Sequence, residues 1–90
     1  MVVSAQPEFD FAAEITRRLN NVAIVEIVMS DGQWWTQERL IEHLQHDHGV
    51  RMNLHALNAR FSDLRKRGYT VERRPIRRGS RTYEYRASKP

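Results

Sequence analysis

The 90-residue sequence contains no cysteine, which excludes a disulfide framework and a thiolate metal site and suits a reducing cytoplasm. No apolar run approaches the roughly 20 residues that a membrane-spanning helix needs; the longest, Val22 to Met29, is interrupted by Glu26. The start, MVVSAQPEFD, has neither the basic residues nor the apolar stretch of a secretory signal. A cytoplasmic protein with no membrane partner is therefore expected. A glycine-rich phosphate loop, a nucleophile motif and paired carboxylates in an apolar setting are missing as well. A single small core leaves little room for a deep, water-excluding cleft. Neither catalysis nor a cofactor is expected.

Acidic residues are scarce in one half of the chain and basic residues in the other. Residues 1 to 50 carry Arg17, Arg18 and Arg39 against eight acids, a balance of −5; residues 51 to 90 carry twelve Lys or Arg against Asp63, Glu72 and Glu84, a balance of +9. A positive field confined to one half attracts a polyanion, and nucleic acid is the obvious one in a cytoplasm.

The stretch Met52 to Arg67 organises this basic half. Leu54, Leu57, Phe61 and Leu64 recur at spacings of three and four, which predicts a helix with a core-facing stripe. The opposite side carries His55, Ala59, Ser62 and Lys66, with Asn58 and Arg65 on its flanks. Asn53 is the expected cap. Gly68 is suited to end the helix. Upstream, Thr36 has the hydroxyl to cap a second helix over about Gln37 to His46, with Glu38 in its first turn and Leu40, Ile41 and Leu44 on one face. Gly49 and Val50 turn this helix into the next. Gln33 to Thr36 reads as a short strand, in which Trp34 and Trp35 must face opposite ways, one into the core.

Downstream, Tyr69 and Val71 alternate on one strand and Tyr83 and Tyr85 on another, around a tip of Arg77, Arg78, Gly79 and Ser80. Arg73, Arg74 and Arg81 surround this turn, and Pro75 is confined to an edge or bulge. A helix with a polar face followed by an arginine-loaded hairpin is the layout of a winged helix-turn-helix. The expected fold is accordingly α+β, mostly α, with a three-helix core and a C-terminal β-hairpin wing over residues 20–88, an extra N-terminal helix over 9–19 and a flexible start over 1–8. In the extra helix, capped by Asp10, the inward positions are Phe11, Ile15 and Leu19. They either fold back on the domain or form a homodimer contact. Asn20 and Asn21 offer a break, so Val22 to Met29 is expected to continue as a second helix or beyond a kink.

The run NLHALNARFSDLRKRGYTVERR, followed by a basic turn and TYEYR, resembles the small helix-turn-helix proteins common in bacteriophages, prophages and bacterial genomes. The likeness extends from about Leu19 to Arg86. It implies a winged-helix fold and DNA binding. The Phe9–Leu19 segment and the histidine-rich loop depart from that pattern.

A major-groove helix would place Asn53, His55, Asn58, Ala59 and Ser62 at base edges, Ala59 being suited to a thymine methyl. Arg51, Arg60, Arg65 and Lys66, with the wing residues Arg73, Arg74, Arg77, Arg78 and Arg81, would hold the phosphate backbone. Asp63 should pair locally with Arg60 or Arg67. His43, His46 and His48, with Asp47 between, have a spacing that a metal could use. A helix C-terminus also favours histidine through its dipole, so no metal site is expected. Two readings follow. The first is a double-stranded DNA binder, regulatory or architectural; the second is a winged-helix protein–protein interaction module in a phage or bacterial nucleoprotein assembly.

Overall fold

Leu57, Phe61 and Leu64 bury the stripe that their spacing predicts, and the rest of the chain is wrapped around them. The structure, a computed structural model, describes residues 11–89, without the side chain of Phe11. The expected loose start and the Asp10 cap lie outside the described residues, as does any role for the Phe11 side chain. The elements are α1 (Phe11–Met29), β1 (Trp35–Thr36), α2 (Gln37–His48), α3 (Leu54–Lys66), β2 (Thr70–Pro75) and β3 (Tyr83–Ser88). The three strands form one antiparallel sheet in the order β1-β3-β2. The result is an α+β, mostly helical small domain. No helix among the described residues is long and apolar enough to cross a membrane.

Local signals set most boundaries. The Thr36 hydroxyl accepts from the Arg39 amide at 3.1 Å, and the Asn53 carbonyl accepts from the Ala56 amide at 2.7 Å, so both caps are as expected. α2 runs two residues beyond the expected His46 because its terminator is Gly49, whose φ of 67° lies in the left-handed region. There the Gly49 and Val50 amides donate back to the carbonyls of Gln45 and Leu44, which satisfies the last turn. Gly68, with a φ of 95°, closes α3 in the same way.

α1 is a single helix where a break at Asn20–Asn21 is expected. Two asparagines cost a helix well under about 1 kcal/mol each. Burial of Val22, Val25, Val28 and Met29 is worth about 1.5–3 kcal/mol apiece. Packing therefore carries the helix through. Its first half behaves differently: Ala12 to Asn20 are all exposed, so Ile15 and Leu19 do not fold back on the domain. Leu54 also departs from expectation. At the first position of α3 it is 49% exposed, and Met52, with Val50 beside it, fills that end of the core instead.

The sheet closes the core from the other side. Trp35 faces inward and Trp34 outward. Trp35 pairs with Tyr85, which in turn pairs with Arg73 on β2, and Tyr85 stacks on Phe61 of α3 at 5.0 Å. Val71 and Ala87, the next inward pair, complete the cover.

Candidate nucleic-acid interface

The alternation of the strands sorts the arginines of the hairpin. Arg74 shares the outer face with Glu84, Glu72 and Arg86. Arg74 donates to Glu84 at 3.1 Å and Arg86 to Glu72 at 2.8 Å. Both guanidiniums also lie over the Trp34 ring, at 4.0 and 4.6 Å. This outer face is a closed set of paired charges around one indole. Arg73, one residue earlier, sits on the face that meets α3, over the Tyr83 ring at 4.7 Å, with no carboxylate partner among the described residues. Beyond them the chain reverses where Ile76 donates to Thr82 and Ser80 to Arg77, both at 2.9 Å. This turn leaves Arg77, Arg78 and Arg81 exposed at the tip.

A second set of pairs fixes α3 against α1. Asp63 accepts from Arg18 at 2.7 Å and from Arg60 at 2.9 Å. The Arg18 hydrogen bond, together with the Arg60 charge, holds the Asp63 carboxyl below its ordinary value, and Asp63 raises Arg18 in return. Arg60 is only 9% exposed, so the expected phosphate role for it is corrected: it is a buried partner of Asp63. The spacing Leu57, Arg60, Phe61, Leu64 places it on the core stripe, a signal present in the sequence. Further along, Glu26 accepts from Tyr69 and from Arg67, at 2.7 and 2.8 Å. The Tyr69 hydrogen bond is the chief reason that Glu26 titrates low and Tyr69 high.

What stays uncommitted is the other face of α3 and its flanks. His55 and Asn58 are exposed, while Ala59 and Ser62 are half-buried. Asn53 is occupied as the cap, which removes its carbonyl from base reading and leaves only its amide group. The Asn58 carbonyl accepts from the Gln37 amide at 2.7 Å, which leaves the Asn58 amide free to donate outward. Gln37 thus enters the site from the first turn of α2. Twenty-one residues separate it from Asn58, and no local pattern announces such a contact. Among the described residues Arg51, Arg65, Lys66, Arg77, Arg78 and Arg81 form no ion pair and lie over no ring. Lys66 also lines a groove against α1.

The electrostatic consequence is specific. Asp63, Glu72 and Glu84 are the acids of residues 51–89, and each is held by an arginine, so none opposes a polyanion. The unpaired cations flank α3 and cap the hairpin. At the far end of α2, the His43 ring nitrogen lies 3.2 Å from Asp47, with the ring against Trp35 at 5.0 Å and near His48 at 5.6 Å. Among the described residues no three histidine or acidic side chains converge in a way that could hold a metal. Comparison with protein-family models, with curated proteins and with solved structures finds no match to this chain.

Proposed function

We propose that this chain is a winged helix-turn-helix protein that binds double-stranded DNA, a binding protein rather than an enzyme. In this reading α3 lies in the major groove and the β2–β3 hairpin is the wing, on backbone or minor groove. The observation that carries the reading is the sorting of charge: every acid of the basic half is consumed in an ion pair, while cations remain free on both flanks of α3 and at the hairpin tip. The element order helix, strand, helix, helix, hairpin, with β1 added to β3, supports the same fold.

Each part then has a task. His55 and the outward NH2 group of Asn58 reach base edges, where that NH2, a donor, is suited to a purine acceptor such as N7. Ala59 and Ser62, less exposed, set how closely the helix approaches. Arg51 and Arg65 hold phosphates beside the helix, and Arg73, Arg77, Arg78 and Arg81 hold them from the wing. The setting that fits is a bacterial or phage-infected cytoplasm, where such a protein would act in transcription regulation or as an architectural factor.

Selection of duplexes from a random pool by the full chain tests this reading. An enriched motif, with the selected site bound at least about tenfold more tightly than a scrambled one, is expected. Recovery of no duplex at low salt would refute it.

A further inference from the structure

The first half of α1 projects from the domain, tied to α3 through the Arg18–Asp63 ion pair. Ala12 to Asn20 are exposed on every side, and an isolated helix of this length is marginal in water. Ile15 and Leu19 on this projection are 56% and 55% exposed. They continue the stripe that Val22, buried at 2%, begins inside the core. Where the stripe leaves the domain it forms the apolar wall of a groove of about 390 Å³, whose far rim is Lys66 and Arg67 at the end of α3.

We propose that this projection pairs, antiparallel, with the same half-helix of a second copy of the chain to make a two-fold dimer. Two observations select a second copy over another partner. The patch is self-complementary: each copy presents one apolar ridge and one groove on the same surface, which is the requirement of an isologous interface. Its charges are complementary as well. Among the described residues Lys66 on the groove rim forms no ion pair, whereas the projection carries Glu14, paired with Arg17 on its own exposed surface at 2.6 Å. Crossing the two helices about the Ile15–Leu19 midpoint sets Ile15 against Leu19 of the other copy. It also carries Glu14 toward the Val22 end of that copy's groove, where Lys66 stands. The inference concerns α1 and stands independently of DNA binding.

The test is sedimentation of the full chain over the micromolar range, with helix content followed alongside. The chain should sediment at twice its 10.7 kDa mass. Leu19→Glu should raise the dimer dissociation constant at least about tenfold while leaving the fold intact, because Leu19 makes little use of the core. Ile27→Glu, at an equally exposed position of α1 turned about 80° from Leu19, should leave association unchanged. Glu14→Lys should weaken the dimer, and adding Lys66→Glu should restore it. A monomer at the highest concentration would overturn the proposal. So would association that survives Leu19→Glu, or that is lost equally with Ile27→Glu, or that the paired charge exchange fails to recover.

Discussion

Arg74 and Arg77 are three residues apart on one hairpin and have opposite fates. Arg74 lies on a strand face where Glu84 stands directly opposite, and a tryptophan ring lies beneath it. Arg77 stands in the turn, beyond the last paired residues, and forms no ion pair among the described residues. A guanidinium beside a fixed acid is part of the fold, and one without an acid is available to an incoming phosphate. Counting basic residues therefore overstates a binding surface. The acids decide which arginines belong to it.

The largest separation between the two classes should come from Asp63→Ala. It strips the partner from buried Arg60 and from Arg18, and leaving a buried charge uncompensated costs about 2–4 kcal/mol of stability. Urea denaturation measures this, and a loss below about 0.5 kcal/mol would mean that Arg60 is as free as the tip residues. Next in size is base reading. Asn58→Ala or His55→Ala should remove about 1–3 kcal/mol of preference for a selected site while sparing scrambled duplex. Gln37→Ala should lose part of the same preference through Asn58 alone. Titration of both duplexes with each variant checks this, and an equal loss on both would assign these residues to the backbone.

Smaller still is the wing. Arg77→Ala with Arg78→Ala should flatten the dependence of log K on log salt by roughly one to two units, with stability unchanged within about 0.5 kcal/mol. Arg74→Ala, at a surface pair worth about 0–1 kcal/mol, should leave that slope nearly unaltered. If Arg74 proves as important to the slope as the tip, the division by acid partner is wrong.

The smallest effect is acid sensitivity. The folded chain holds Asp63 and Glu26 below their ordinary values, so the unfolded chain binds more protons as pH falls. Their contribution is complete above the ordinary carboxylate value of about 4 and is lost as pH drops through the lowered values. Urea midpoints should therefore fall between pH 5 and pH 3, less so in Asp63→Asn. Equal acid limbs in the two proteins would contradict the Arg18–Asp63–Arg60 cluster.

The features legible in the sequence are those governed by local chemistry. Thr36 and Asn53 cap helices through amides three residues on, Gly49 and Gly68 end them, and the Trp34–Trp35 pair divides between two faces because a strand alternates. The pairs that tie the candidate site together span long separations: Arg18 to Asp63, Glu26 to Tyr69 and Gln37 to Asn58. Nothing local specifies them. Arg60 falls between. Its place on the Leu57–Phe61–Leu64 stripe is readable in the sequence, whereas its charge alone points to a phosphate ligand. At Asn20–Asn21, propensity pointed to a break and the buried valines beyond it prevailed.

The central claim is that cations left without an acid bind duplex DNA as a set. It is tested most directly by titrating the full chain against one duplex across a salt series. If about five of these side chains each neutralise a phosphate, log K should fall against log salt with a slope of roughly −4 to −5. A slope near zero, or no binding to duplex at low salt, would contradict it.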